Sequence, residues 1–401
     1  MKLLYVHQYF RTPDNGGCVR SYHLAKGLVA NGHEVTMITA HAGPSEVKEI
    51  DGIKVHYLKV PYANHYGFVR RIAAYLMFVQ KAKKEISQLK TKFDLAYIMT
   101  TPLTTGLIAL HLKSKYNIPY FFEVGDLWPE APIKMGAVKS RVLKRLLYRF
   151  EQKCYFEAQK VIALSPAIRN YIEASAPRTH VNVIPNFADT EFFESQHKLQ
   201  YFNESNPLKI GYFGTFGAAN ELITLVKVAK LANERKLPVH FTLMGEGAQY
   251  SKIRKITSKF NNVTMLPFGN SFEVKKELEK QDAVYISFKN LEILNTGSPN
   301  KFFDGLAAGK LIILNFGGWV RNLVDEYKCG FYHDPEKPEN FLRKLEVFSK
   351  NPKMLYEYQQ NSRSLAEKYY SKDLQVQKLA KILSNEKYLN LSDSEVYILT
   401  A

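Results

Sequence analysis

The run Gly297-Ser-Pro-Asn-Lys-Phe-Phe-Asp-Gly-Leu-Ala-Ala-Gly-Lys310 brings together residue types that can hold an anion. A Gly/Pro turn, with Ser298 and Pro299 in it, delivers Asn300 and Lys301 to the first turn of a helix. Backbone N–H groups there lack intrahelical partners and attract negative charge. Asp304 falls one turn further along, on nearly the same face. A cation for a diphosphate and a carboxylate for ribose hydroxyls together suit a nucleotide. The same residues also read as an ordinary capped amphipathic helix, with Phe302, Phe303, Leu306 and Ala307 facing a core.

A second segment supports the first. Lys209-Ile-Gly-Tyr-Phe-Gly-Thr-Phe-Gly-Ala-Ala-Asn-Glu221 reads as a short apolar strand, a glycine loop and then a helix from Leu222 to Leu231. Gly214 and Gly217 let backbone come close to phosphate oxygens. The spacing matches neither the dinucleotide fingerprint nor the Walker loop. Two such turns in one domain nevertheless agree with the rule that ligands of open parallel sheets bind beyond the strand carboxyl ends.

The elements that must position these residues alternate between strand and helix. Strands are predicted at Leu3 to Val6, Val35 to Thr39, Ile53 to Val60, Leu95 to Met99, Tyr120 to Val124 and Val161 to Ala163, with helices between them, the first from Ser21 to Ala30. A second series runs through Ile210 to Phe213, His240 to Met244, Val263 to Leu266, Ala283 to Ser287 and Leu311 to Asn315. Alternation of this kind implies α/β architecture with parallel sheets covered on both faces. The chain reads as two Rossmann-like domains facing across a cleft, residues 1–189 and 208–385. A polar linker, 190–207, joins them, and a loosely held tail occupies 386–401. Helices from Pro338 onward are expected to close the second domain. At 401 residues, 46% of them hydrophobic, the chain can bury two full cores.

Composition excludes several classes. The three cysteines are far apart, without zinc-site or disulfide spacing, which fits a reduced cytoplasmic setting. His7, Gln8 and Arg11 interrupt the apolar start before a signal peptide is built. The run Ile72 to Val79 is far short of the roughly twenty residues needed to span a bilayer. The formal net charge is +17, and residues 1–190 hold 26 Lys/Arg against 14 Asp/Glu. The basic residues gather in two expected helices, Arg70, Arg71, Lys81, Lys83, Lys84 and Lys90 in one, Arg141, Lys144, Arg145, Arg149 and Lys153 in the other. Val142, Leu143, Leu146, Leu147 and Phe150 recur between the second set at helical spacing, as on a helix against a core or an anionic membrane surface. No zinc-finger, RNA-recognition or basic-zipper signature accompanies this charge, so nucleic acid is not expected as a partner. Asp189-Thr-Glu191 does not follow an apolar strand as a metal-diphosphate acidic motif should, and no essential metal is expected.

Several segments in order carry a resemblance. His7-Gln-Tyr-Phe-Arg-Thr-Pro-Asp-Asn-Gly-Gly-Cys-Val-Arg20 and Leu28-Val-Ala-Asn-Gly-His-Glu-Val-Thr36 open the chain. Asp126-Leu-Trp-Pro-Glu130, Val161-Ile-Ala-Leu-Ser165, Ile184-Pro-Asn-Phe-Ala-Asp189, the Gly214 loop, Met244-Gly-Glu-Gly247 and the Pro299 to Lys310 run follow. Together they resemble the retaining glycosyltransferases of the GT-B fold, family 4. The branch they resemble builds bacterial O-antigen and capsule repeats and includes N-acetyl-fucosaminyl transferases. The resemblance implies a nucleotide-sugar donor, usually UDP-linked, with an N-acetylated sugar among the candidates, held mainly by the second domain with no further cofactor. A polyprenyl-diphosphate-linked saccharide would enter from the first domain as acceptor, at the cytoplasmic face of an anionic membrane. It assigns catalysis to Asp126, Asn300 and Lys301. Donor binding falls to Gly16, Gly17, Arg20, Gly214, Thr215, Asn220, Glu221, Glu246, Ser298, Pro299 and Asp304.

Three departures bear on this. Thr296 stands where the first acid of the family pair belongs, with Glu292 as a possible substitute. Gly125 replaces the His or Arg that often precedes the Asp of Asp-Leu-Trp-Pro, leaving polar duties to Asp126 or Glu123. The Gly214 loop lacks the usual Arg and Lys, which puts more of the charge on Lys301. A UDP-sugar 2-epimerase of similar architecture, or a sugar-nucleotide-binding protein with weakened catalysis, are the alternative readings. Trp128 could stack on an acceptor sugar or pack beneath a loop.

Overall fold

Strands apolar at nearly every position, such as Leu95-Ala-Tyr-Ile-Met99 and Leu311-Ile-Ile-Leu314, have no face to offer water, and both are buried throughout. Parallel sheets with crossover helices on both sides provide the cover such strands need. The computed structural model, which describes residues 1–63, 66–194 and 199–384, contains two such sheets.

The first comprises β1 (Lys2–Val6), β2 (Glu34–His41), β3 (Glu46–Ile50), β4 (Ile53–Lys59), β5 (Leu95–Met99), β6 (Tyr120–Val124), β7 (Lys160–Ala163) and β8 (Val181–Val183). Their spatial order is β3-β4-β2-β1-β5-β6-β7-β8, parallel except for the β3–β4 hairpin. The second comprises β9 (Leu208–Phe213), β10 (Val239–Met244), β11 (Val263–Leu266), β12 (Ala283–Ile286), β13 (Leu311–Leu314) and β14 (Gly330–Tyr332), in the order β11-β10-β9-β12-β13-β14, all parallel. Strand order reverses beside β1 in the first sheet and beside β9 in the second. Crevices open at such switch points, at the strand carboxyl ends.

The strands absent from the sequence reading are β3, β8 and β14. β3 is an edge strand whose Lys48 and Glu49 are exposed, so it lacks an apolar run. β8 and β14 have three residues each, too few to show a period.

The domain boundaries differ from those expected at both crossings. Phe187 packs in the first lobe's core and Ala188 in the second's, so the chain changes lobes between them. Residues 189–193 are not free linker. Phe193 is buried in the second core, and Arg363 donates to the carbonyls of Thr190, Phe193 and Ala307. The helix Lys372–Ser384, expected to close the second domain, returns to the first. Its Val376, Leu379, Ile382 and Leu383 share a core with Leu24 and Leu28, and Lys160 Nζ donates to Ile382 O at 2.7 Å. Gly27 permits this contact, since a Cβ there would lie 2.3 Å from Val376 Cγ1. Sequence adjacency assigned that helix to the second domain; its apolar face assigns it to the first. The expected tail, 386–401, lies outside the described residues.

Candidate active site

A cavity of about 520 Å³ lies between the lobes, over the carboxyl ends of both sheets. The helix Asn300–Ala307 starts on its wall, with Pro299 as N-cap residue and no side chain capping its first N–H groups. Phe302, Phe303, Leu306 and Ala307 are buried in the second core, so this helix is amphipathic and a cleft element at once. Their burial holds the other face, with Asn300, Lys301 and Asp304, on the cavity. Lys301 Nζ donates to the hydroxyl of Tyr212 at 3.0 Å and lies 4.2 Å from that ring's centre. A Cβ on Gly214 would sit 3.1 Å from the same Nζ, which places the glycine loop directly against the cation.

Enclosure by protein pulls Lys301 down to about 7, with the Asp304 carboxylate opposing. Enclosure and the neighbouring Asp189 push Asp304 up to about 7, with Lys301 opposing. Both side chains keep part of their surface on the cleft. An anionic ligand entering here would favour the protonated form of each.

The glycine loop after β9 is built on its neighbour. Gly214 N donates to Met244 O, Phe216 N to Glu246 O and Gln249 N to Phe216 O. Gly245, at φ +149, could carry no side chain, since a Cβ there would fall 1.9 Å from Gly214 O. The segment Met244-Gly-Glu-Gly247 is therefore the foundation of the loop that carries Gly214, Thr215 and Asn220 to the cavity. The Glu246 side chain is exposed and not on the cavity wall. Glu221, in the left-handed region at φ 45, also stands off the wall and ends the loop, its carbonyl accepting from Thr224.

From the first lobe, Gly17, Cys18, Val19 and Arg20 reach the cavity. Gly16 stands at the seam of the lobes, where a Cβ would come within 2.9 Å of Asn270 Cα. Arg20 is 2% exposed and heavily committed. Its Nε and Nη2 donate to the two oxygens of Glu123, Nη1 to Pro185 O and Nη2 to Ile184 O. Burial works against its charge, but the Glu123 carboxylate overrides it and raises the guanidinium pKa. Glu123, fully buried, also accepts from the Tyr97 hydroxyl and has no access to a substrate. Of the two acids weighed for polar duty near Gly125, that leaves Asp126. It is exposed at the end of β6, away from the cavity wall, and accepts from Thr101 Oγ1 at 3.3 Å. Surrounding protein raises its carboxyl pKa and the Thr101 hydroxyl opposes the rise. Trp128 packs on the first core, edge-on to Tyr75. Glu292 is exposed and off the cavity wall, and Thr296 Oγ1 is spent on Ile293 O.

Asp189, His23, Asn186 and an aromatic wall of Phe192, Phe213, Phe268, Phe272 and Phe288 line the cavity without having been singled out as ligands. Asp189, expected as the last residue of the first domain, sits 2.9 Å from Lys372 Nζ and 3.8 Å from His23 Nε2. Burial holds His23 down to about 4 against the pull of Asp189, so it is neutral at physiological pH. Asn186 and Asp189 lie in the Ile184 to Asp189 segment, but nothing within it marks them as cavity residues, because the crossing of the chain brings the group together. No group of three or more His, Cys, Asp or Glu suited to a metal ion occurs among the described residues.

Comparison with known proteins matches residues 15–186 to a glycosyl transferase 4-like domain and residues 194–365 to glycosyl transferases group 1. No curated protein matches in sequence. Among solved structures, sucrose-phosphate synthase from Thermosynechococcus elongatus is similar, with a TM-score of 0.73 at 14% identity over 96% of this chain and 98% of that one. Anabaena HepE in complex with UDP and glucose gives 0.67 at 16% identity, over 96% and 100%. WaaG, a glycosyltransferase involved in lipopolysaccharide biosynthesis, gives 0.62 at 15% identity, over 96% and 100%.

Proposed function

Because the chain belongs to the glycosyl transferases, a 4-like domain followed by a group 1 domain that together span most of its length, we propose that it moves a sugar from a UDP-linked donor to a lipid-linked saccharide with retention of configuration. Its two lobes have the GT-B arrangement. The observation that carries the donor assignment is Lys301 at an uncapped helix start, against the Gly214 loop, with Asp304 one turn along on the same cavity. HepE, of the same fold, holds UDP and glucose, which favours a uridine nucleotide here.

As the sugar–phosphate bond breaks, the anomeric carbon gains oxocarbenium character and charge gathers on the departing diphosphate. Donors fixed in advance at that charge lower the barrier most, and a dry cleft strengthens them. Lys301, the first N–H groups of its helix and the Gly214–Thr215 loop supply them, without a metal. Asp304 receives the ribose hydroxyls, and Asp126 orients the acceptor from the first lobe.

The acceptor's lipid would lie where the first lobe is both basic and greasy. On the helix Phe68–Gln88, Val69, Leu76 and Met77 are exposed beside Arg70 and Lys84. On Arg141–Glu157, Val142, Leu146 and Phe156 are exposed among Arg145, Arg149 and Lys153. The carboxylates of these helices are turned to other uses. Glu85 pairs with His56, Glu151 is buried and Glu157 pairs with Lys113. Apolar and cationic groups without acids suit an anionic bilayer surface. No helix among the described residues is long and apolar enough to cross a membrane.

Lys301→Ala tests the reading: UDP-sugar affinity and turnover should both fall, and unchanged values would remove Lys301 from the diphosphate site. Incubation with UDP-sugar alone separates transfer from epimerisation. Binding to anionic vesicles should weaken steeply with salt, and a failure to bind at low salt would remove the membrane assignment.

A further inference from the structure

The turn that leads into the helix Asn300–Ala307 is held by side chains from both lobes. Three successive backbone carbonyls are each taken by a side chain. Thr296 O accepts from Ser165 Oγ at 2.6 Å, Gly297 O from Trp319 Nε1 at 2.8 Å and Ser298 O from Asn186 Nδ2 at 2.5 Å. Asn186 adds a second bond, its backbone N–H donating to Ser298 Oγ at 3.1 Å. Trp319 belongs to the second lobe. Ser165 and Asn186 belong to the first, just beyond the ends of β7 and β8, and both are buried.

We propose that Ser165 and Asn186 are positioning residues that aim the donor cradle of the second lobe from the first. The Pro299 junction follows at once, so fixing the carbonyls of residues 296–298 fixes the direction in which Asn300 and Lys301 enter the cleft. The chemistry of the two side chains suits the task. A serine hydroxyl both donates and accepts, and Ser165 Oγ also accepts from Ile168 N to cap the helix Pro166–Ser175. The Asn186 amide has one possible orientation, because only its NH₂ can donate to a carbonyl. The motifs Val161-Ile-Ala-Leu-Ser165 and Ile184-Pro-Asn186, which place no group on the diphosphate themselves, thus act on it through the turn.

One consequence is energetic. With the lobes apart, Thr296 O and Ser298 O would lose their partners and the turn its aim. Nucleotide affinity and lobe contact are therefore coupled, and the coupling is reciprocal. This rests on the reading that a nucleotide diphosphate occupies the cleft.

Two variants test it, Asn186→Ala from one lobe and Ser298→Ala from the other, each assayed as the full chain. Amide hydrogen exchange at Phe302 and Phe303 without ligand should speed up several-fold in both. With UDP as probe, Kd should rise about tenfold, the worth of a good hydrogen bond, and the donor KM likewise, while kcat at saturation changes less than about threefold. The double variant should bind UDP less tightly than either single one, because Asn186→Ala removes the bond to Ser298 O and Ser298→Ala the bond from Asn186 N. A fold defect in Asn186→Ala would leave Ser298→Ala, which lies outside both sheets, to decide. Unchanged exchange in the variants that fold would overturn the proposal whatever the cleft binds. Unaltered UDP affinity alongside faster exchange would overturn the coupling. A wild-type chain that ignores UDP would instead remove the functional reading, with the exchange data still deciding the latch.

Discussion

Two cations stand on the wall of the same cleft, one from each lobe, and they are held in opposite ways. Arg20 has four N–H bonds committed to Glu123, Ile184 and Pro185 and is 2% exposed. Lys301 donates to one tyrosine hydroxyl and is partly open to the cavity. Both are basic residues beside a glycine-containing turn, and the resemblance assigns both to the nucleotide-sugar. A cation serves a ligand with the donors that the protein leaves unused. On that measure the first lobe spends its charge on holding itself together, and the second keeps its charge available at the cost of a depressed ammonium pKa.

The contrast can be broken experimentally, most forcefully at Arg20. Arg20→Ala leaves Glu123 buried and unpaired, and breaking such a pair costs about 3–5 kcal/mol. Thermal unfolding should therefore begin many degrees lower. A variant with wild-type melting but lost UDP affinity would reverse the assignment of the two cations.

Lys301→Ala should do the opposite. Turnover should drop by about 10²–10³, the scale of losing one preorganised donor at a developing charge, with melting unchanged or slightly raised because a poorly solvated ammonium is gone. Steady-state kinetics beside a melting curve checks this directly.

The pH dependence sharpens the same point. Lys301 and Asp304 both lie near 7 in the free cleft, and a diphosphate favours the protonated form of each, so binding takes up protons. The donor KM should stay level below pH 7 and rise a few-fold per unit above it. Stability carries the reverse sign for the lysine. Its folded pKa is below the unfolded value, so its burial penalty is full below pH 7 and is relieved as pH rises toward 10. A donor KM that improves above neutrality would exclude Lys301 from the phosphate end of the site.

A pair of neighbouring variants separates foundation from ligand in the loop after β10. Glu246→Ala should change UDP affinity and stability by less than about 0.5 kcal/mol, as exposed side chains do. Gly245→Ala, one residue away, should abolish UDP binding, because a methyl group cannot share space with Gly214 O. Comparable losses in both variants would return Glu246 to the binding surface.

Much of this was legible beforehand. Leu95–Met99, Tyr120–Val124 and Val263–Leu266 fall where apolar runs place them, because a strand buried on both faces must be apolar throughout. The turn at Pro299 and the face of its helix followed from helical spacing alone. Asp189 was not legible as a cleft residue, since its role depends on where the chain crosses between lobes. The last helix was misassigned for the same reason: an apolar stripe says that a helix packs, not against which core.

The sequence by itself determined the two α/β lobes, the positions of their loops and the chemistry available at Lys301 and Asp304, because periodicity and side-chain type are local properties. Only the tertiary structure decided that Arg20 commits four N–H groups to its own lobe where Lys301 commits one to Tyr212, that Gly245 supports Gly214, and that Asn186 reaches across to Ser298. Each of these turns on which distant groups share a hydrogen bond or a volume, and local spacing along the chain carries no record of that.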